Sequence, residues 1–403
     1  MRNLIAAVLI VLTGVTGFAQ NFEAPKLDAS KFEKVKAKVG GDFAIQYQAL
    51  NHSINGSSDS LIDLKHNINL PTANFNITTD LGPGVQLYMN TFLSSRHHND
   101  AWVEGGYLTI DNLPFLPAAD PVMKYLTIKA GVFNPNYGDA HFYRSTNAHV
   151  VDNPFVGNWI MDSYTTNPGM EIMYRNNGVL AMVGTNNGRM NYGRGNDLGK
   201  DLVFLWKLAY DKQFTDDFRG RVSLSGYHVP EGHSGSTLWG GDRSGARYYN
   251  VMQWTGLNDN FRSGRWDPGS EQTQMNSYQA NIFAKFKGLE VFGIFEDMKG
   301  VRYTLNQHFT QTAVQAIYRL GDFYLGTRWN NVSDNNGSTV TRLNLGGGWN
   351  MLDNVLVKVD YVNQKYSGPA KHVVGQDKNN SYIAQSLDGG KFNGVVVEAA
   401  ISF

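Results

Sequence analysis

The sequence has 403 residues, and its 35 basic and 35 acidic side chains cancel to a formal net charge of zero. A neutral chain has no general electrostatic attraction for nucleic acid, so a nucleic-acid partner is excluded on this ground. The absence of cysteine excludes a disulfide scaffold, a thiolate metal site and a cysteine nucleophile. Only 17% of the residues are charged and 43 are glycine, a composition that disfavours an ordinary cytosolic enzyme.

Residues 1–19 have the pattern of an export signal. Arg2 precedes an apolar stretch at 4–12, and the small residues Gly17 and Ala19 follow. The pattern predicts a signal peptide cleaved after Ala19; the alternative is an N-terminal anchor, but the apolar core is shorter than the ~20 residues of a spanning helix. We expect the charged segment 20–38 to be a periplasmic tail or a short helix.

From residue 39 onward, apolar and polar side chains alternate. Val85, Leu87 and Met89 share one face of an extended segment, and the same period of two recurs at 202–210 and 355–361. Strict alternation predicts β-strands and an all-β fold. The predicted strands, sixteen in number, are 39–51, 66–80, 85–96, 101–110, 123–133, 169–175, 179–186, 200–211, 219–228, 273–286, 289–298, 308–320, 323–333, 339–350, 354–366 and 391–403. Fourteen or eighteen strands are the alternatives, and the segment 246–256 is assigned to a loop.

Short turns alternate along the chain with long loops that are rich in glycine, asparagine and serine. This alternation is typical of a transmembrane antiparallel β-barrel with short periplasmic turns and long extracellular loops. Aromatic side chains also recur near strand ends on the apolar face, where they suit a bilayer interface; they are Trp206, Tyr210, Trp329, Trp349 and Tyr361. A secreted soluble β-protein is the alternative. We favour the barrel over 39–403, because in lipid only a closed sheet leaves no unpaired edge.

The last strand alternates at Val395, Val397, Ala399 and Ile401 and ends on Phe403. It resembles the targeting strand that the barrel-insertion machinery reads in Gram-negative outer-membrane proteins. The segment 126–138, which reads LTIKAGVFNPNYG, resembles the strand and loop start of phosphate-selective porins of the O/P type. This resemblance implies a porin of sixteen strands in the outer membrane, a loop folded into the lumen and a homotrimer.

The loop 134–168 is the candidate constriction. It contains Asp139, His141, Arg144 and Asp152, which would supply charges of both signs at a narrow, polar eyelet. The alternative is an outer surface loop held together by its own aromatic side chains.

Charged side chains on the polar faces of the strands form a second candidate set, as lining of the pore. They are Lys207, Arg221, Lys285, Glu290, Glu296, Arg319, Arg328, Arg342, Lys358 and Asp360. A small basic excess predicts at most a mild preference for anions such as phosphate. The alternative is that lumen charges pair with one another and give no selectivity.

Arginines interleaved with aromatic residues in the long loops form a third set. Arg189, Arg194, Arg247 and Arg265 could line a vestibule that binds sugars or anions. Packing of the loops at a trimer surface is the alternative that we favour for these residues.

Motifs of hydrolases, metalloproteases, nucleotide-binding loops and dinucleotide-binding folds do not occur, so we predict no enzyme activity, no cofactor and no metal. The preferred function is passive diffusion of small hydrophilic solutes across the outer membrane, with membrane lipid as the surrounding partner. Two alternatives stay open: a channel for hydrophobic substrates, and a surface adhesin or scaffold with a sealed lumen.

Overall fold

The computed structural model describes residues 20–94, 98–144, 150–190, 202–239, 248–258, 262–266, 272–302 and 304–403. The chain forms a closed antiparallel barrel of sixteen strands. The first strand, β1 (Lys36–Ile54), pairs with β2 (Asn67–Gly82) on one side and with the last strand, β18 (Gly390–Ser402), on the other. The expected all-β barrel and its strand number are therefore confirmed. The predicted signal peptide lies outside the described residues.

All other barrel strands pair with their neighbours in chain order. They are β3 (Val85–Ser94), β4 (His98–Ile110), β5 (Leu126–Phe133), β6 (Asn167–Asn176), β7 (Val179–Asn186), β8 (Val203–Gln213), β9 (Phe218–Val229), β10 (Gln272–Phe286), β11 (Leu289–Arg302), β12 (Leu305–Leu320), β13 (Phe323–Asp334), β14 (Thr339–Leu352) and β15 (Val355–Ser367). A short helix, α1 (Asp120–Met123), precedes β5. Within the described ranges no helix is long and apolar enough to cross a membrane.

Several strand bounds differ from the sequence prediction by a few residues, and two local differences have a clear reason. The strand expected to begin at residue 39 begins at Lys36, because backbone pairing of Lys36 with Asp80 needs no apolar side chain. The loop expected at 367–390 contains a separate hairpin, β16 (Lys371–Gln376) and β17 (Tyr382–Ser386), whose apolar and polar side chains do not alternate regularly.

The barrel has the inverse polarity of a soluble protein. On β8 the Lys207 side chain faces the lumen and is 0% exposed, whereas the next residue, Leu208, faces outward and is 55% exposed. The same alternation continues around the wall, since successive strand residues point to opposite faces. Trp329 and Trp349 lie on the outer face, and Phe323 stacks on Trp349 at 5.9 Å. An outward apolar belt with interfacial aromatics is the arrangement of a transmembrane barrel.

Short turns lie at one end of the barrel, where the N-terminal end of β1 and the C-terminus also lie. The turn between β6 and β7 uses Asn177 and Gly178, both with positive φ, which is the backbone that a tight two-residue hairpin requires. The seam closes at this end, where Gly41 and Phe403 exchange two backbone hydrogen bonds of 3.0 Å. A Cβ on Gly40 would lie 2.7 Å from the Phe403 carbonyl oxygen, so the close approach requires glycine there.

Candidate functional site in the barrel lumen

The loop after β5 turns into the lumen and lies along the inner wall. Its backbone amides donate to side chains of the wall: Asp139 N–H to Asn281 Oδ1 at 2.9 Å, and Ile160 N–H to Asn330 Oδ1 at 2.7 Å. An inserted loop has no strand neighbours, so its buried amides need such acceptors. Asn281 is on β10 and Asn330 on β13, which places the loop against this side of the barrel.

A cluster of four charged side chains joins the loop to β8 and β9. Arg221 donates to Asp139 through Nε at 2.8 Å and Nη2 at 2.9 Å, and Lys207 Nζ lies 2.8 Å from Asp139 Oδ1. Glu23, from the segment before β1, lies 2.7 Å from Arg221 Nη1 and 3.4 Å from Lys207 Nζ. We call these four residues the charge cluster; it contains two cations and two anions, so its net charge is zero.

Electrostatics in the charge cluster favour the ionised carboxylates. Burial tends to raise the pKa of Asp139 and of Glu23, but the positive charges of Lys207 and Arg221 outweigh burial and hold both pKa values below their usual range. Both carboxylates are therefore charged at neutral pH, and each is held by charge-assisted hydrogen bonds.

Three cations on β13, β14 and β15 hold the middle of the loop. Arg328 donates to the Gly157 carbonyl at 2.7 Å and to Asn153 Oδ1 at 2.7 Å, and its guanidinium lies 4.1 Å from the Trp159 ring centre. Arg342 donates to the Asn158 carbonyl. Lys358 donates to the carbonyls of Val150 and Asn153 and forms a 2.8 Å ion pair with Glu398.

The other predicted wall charges also have partners inside the barrel. Glu290 pairs with Arg319 at 3.1 Å and with Lys285 at 3.8 Å. Glu296 accepts hydrogen bonds from the Tyr137 hydroxyl and from Gln311. Asp360 accepts from the Val156 amide at 3.1 Å and from Asn344 at 2.8 Å. In this geometry each predicted wall charge bonds to another wall residue, to the loop or to Glu23.

Within the loop, Arg144 and Asp162 form a buried pair with distances of 2.9 to 3.1 Å. The Arg144 guanidinium also stacks on the Tyr164 ring, 3.8 Å from its centre. His141 and Asp152 are half-buried. Of these loop residues, His141 and Arg144 border the cavity described below, whereas Asp152 does not.

The arginines expected in a vestibule are only partly described. Arg189 donates to the Ser234 carbonyl at 3.1 Å, and the buried Arg265 donates to the Trp239 carbonyl at 3.3 Å. Both contacts join loop residues within the same chain. Arg194 and Arg247 lie outside the described residues.

A cavity of about 370 Å³ remains between the loop and the wall strands β3 to β6. Aromatic rings and charged groups border it together, among them Tyr88, Tyr107, Lys129, Phe142, Arg144 and Glu171. The Lys129 ammonium lies 4.2 Å from the ring centres of both Tyr107 and Phe133. The inserted loop leaves this space along β3 to β6 unfilled.

Residues 20–28, which we call the strap, lie across the short-turn mouth of the barrel. Arg219 donates to the Gln20 carbonyl at 2.8 Å, and the Leu27 amide donates to Asp111 at 2.8 Å. Lys26 forms a 3.4 Å ion pair with Asp111. The sequence predicts only a charged tail here, and one aromatic and a few charged residues give no signal for docking inside a barrel.

The sequence matches no family model, and no curated protein matches it. Solved structures do match. An anion-selective porin from Comamonas acidovorans is similar with a TM-score of 0.54 and 10% identity, covering 92% of this chain and 100% of that one. OmpT, an outer membrane protein of Vibrio cholerae, is similar with a TM-score of 0.52 and 10% identity, covering 92% of this chain and 100% of that one. The outer membrane channel DcaP of Acinetobacter baumannii has a TM-score of 0.50 and 10% identity, and the match covers 92% of this chain and 98% of that one. The chain therefore has the fold of the outer-membrane porins.

Proposed function

We propose that the protein is an outer-membrane porin through which small hydrophilic solutes diffuse passively. The observation that carries this proposal is the position of the inserted loop. It is bonded to β8–β15 through the charge cluster, Asn330 and Arg328, and it leaves the cavity along β3–β6 as the path. A polar, charged passage inside an apolar belt is what a diffusion pore needs.

The proposed selectivity is weak, with a mild preference for anions. The charged wall residues pair with one another or with the loop, so opposite charges largely cancel along the passage. A small residual field is expected to move the reversal potential by only a few millivolts in a salt gradient. The structurally similar Comamonas porin is anion-selective, which is compatible with this direction.

Three further features belong to the same proposal. We place the protein in the outer membrane, and we propose that it assembles there as a homotrimer. A trimer form is known for OmpT of Vibrio cholerae, which shares the fold. The alternating strand that ends on Phe403 would be read by the barrel-insertion machinery.

A sealed scaffold or adhesin is the second candidate. It is favoured by the filling of the lumen: the strap, the inserted loop and the buried aromatic residues Trp239, Tyr248 and Trp266 of later loops all occupy space inside the barrel or at its mouth. In that case the barrel would serve to display its long loops and would not conduct.

Planar-bilayer recording separates the two candidates. We expect discrete conductance steps from the purified protein, and larger steps after deletion of residues 139–160, because the deletion removes the part of the loop that fills the passage. Liposome swelling with sugars of rising size measures the passage independently. A folded, heat-modifiable barrel that never conducts would favour the scaffold, and unchanged steps after the deletion would remove the loop from its role as the constriction.

A further inference from the structure

The strap inserts an aromatic ring and a carboxylate side by side into a pocket of the barrel. The Phe22 ring meets Phe142 edge-on at 5.5 Å and Phe283 at 5.3 Å. The Arg221 guanidinium lies 4.3 Å from the Phe22 ring centre, at cation–π distance. Phe22 is buried in this aromatic pocket although it belongs to no strand.

The Glu23 carboxylate occupies the charged part of the same pocket. Arg221 donates to it through two nitrogens, at 2.7 and 2.9 Å, and Lys207 lies 3.4 Å away. Arg221 thus contacts both the ring and the carboxylate of the strap. A planar guanidinium that binds a carboxylate through two parallel hydrogen bonds is a specific recognition geometry.

The pocket is built from residues that do not belong to the strap. Lys207 is on β8 and Arg221 is on β9, and both are buried within the wall. Without Glu23, the carboxylates near Lys207 and Arg221 would be Asp139 and Asp211, and Asp211 is shared with Arg219. Three cations would then face two carboxylates, which leaves one positive charge in excess. A buried charge without a partner is costly, so the pocket favours an anion at this position.

The backbone of the strap is held by few bonds, whereas the side chains of Gln20, Glu23 and Lys26 bond to the loop and the barrel. In the described part of the chain, its backbone joins no strand ladder, and the barrel contacts that backbone through the side chains of Arg219, Arg175 and Asp111. Ala24 and Pro25 are exposed. Because no strand ladder holds its backbone, release of the strap breaks mainly side-chain contacts, and an occupant that replaces the contacts of Phe22 and Glu23 offsets part of that cost.

We infer that the pocket around Lys207 and Arg221 is a binding site for small organic anions that carry an aromatic ring beside a carboxylate. The strap is the intramolecular occupant of this site, and such a solute displaces Phe22 and Glu23 from it. Displacement would also remove residues 22–25 from the border of the cavity. This consequence for the passage rests on the proposed porin function, whereas binding itself does not.

Calorimetric titration of the full-length mature protein in detergent tests the site, with phenylpropionate as the probe. Propionate lacks the ring and phenylpropanol lacks the charge, so both should bind far more weakly. The double variant Phe22→Ala/Glu23→Gln should bind phenylpropionate at least about tenfold more tightly than the wild type, because an occluded site lowers apparent affinity by the fraction of molecules that are open. Glu33→Gln, an exposed position beyond the strap, is the matched control and should leave the affinity unchanged.

Arg221→Lys in the background of the double variant should lower the affinity, since it keeps the charge but loses the two-pronged contact. The site is overturned if the double variant binds no more tightly than the wild type, or if phenylpropanol binds as well as phenylpropionate. Bilayer recording of the same proteins separates this inference from the porin proposal. Binding by a barrel that never conducts supports the site and rejects the porin, whereas conductance with no binding in any variant rejects the site alone.

Discussion

Arg221 on β9 and Asp139 in the inserted loop are joined by two parallel hydrogen bonds, from Nε at 2.8 Å and from Nη2 at 2.9 Å. Both side chains are almost fully buried. The pair fixes the start of the loop to the wall at the place where Lys207 and Glu23 also meet, so one pair of residues connects the wall, the loop and the strap.

Asp139→Asn should destabilise the barrel by about 3 kcal/mol, because it leaves the buried cations Lys207 and Arg221 with Glu23 as their one remaining carboxylate in the cluster. Denaturant unfolding followed by heat-modifiable gel migration measures this loss. Asp63→Asn is the matched control: Asp63 forms an exposed pair with Lys65 at 3.9 Å, and removal of such a pair costs little. Equal stability of the two variants would contradict the role given to the charge cluster.

Arg328→Ala should free the middle of the loop and raise the single-channel conductance. The arginine bonds to Gly157, Asn153 and Gln315, and loss of these charge-assisted bonds should also cost about 2 kcal/mol of stability. Arg328→Lys should give a smaller rise in conductance and a smaller loss of stability. A lysine ammonium keeps the charge but cannot donate to all three partners in the planar geometry of the guanidinium. If Arg328→Ala conducts like the wild type, the loop is held in place without this residue.

The strap should be released in acid. The pKa of Glu23 in the docked strap is held below its usual value of 4.5, so docking favours the ionised form. The stabilisation of the docked strap by ionised Glu23 is complete above pH 4.5. It is lost as the pH falls through the lower pKa that Glu23 has in the docked strap. Release of the strap should therefore raise the conductance as the pH falls below 4.5.

Glu23→Gln provides the comparison for the acid experiment. It should already show the raised conductance at neutral pH, and its remaining acid response, from Asp139, should be smaller than that of the wild type. If acid raises the conductance of Glu23→Gln as much as that of the wild type, the strap does not respond to pH through this carboxylate.

An arginine on the outer apolar belt should cost more stability the closer it lies to the middle of the bilayer. Leu208→Arg, in the middle of β8 on the outer face, should cost about 3 kcal/mol, whereas a cationic substitution near the bilayer surface costs at most about 1 kcal/mol. Leu202→Arg, just before the start of β8, is the matched variant. Urea titrations of both proteins refolded into vesicles give the difference. Equal costs would mean that the two positions lie at the same depth.

Period-two alternation was sufficient to predict the sixteen strands, because each wall residue faces either lipid or lumen, as Leu208 and Lys207 do. The sequence also indicated which loop could enter the lumen. It could not predict the partners of the wall charges, since these depend on contacts between distant residues such as Glu23 and Arg221, which are 198 positions apart. The hairpin β16–β17 was missed because its two short strands do not alternate apolar and polar residues: the buried Val374 directly follows another valine in the sequence.

The seam at Gly41 and Phe403 has a consequence for the order of assembly. The strand β1 pairs with β18, the last strand of the barrel, so the amides along that side of β1 stay unpaired until β18 is added. The sheet therefore has an open edge until these two strands meet, and during that time it must be shielded from other chains that could add to the edge.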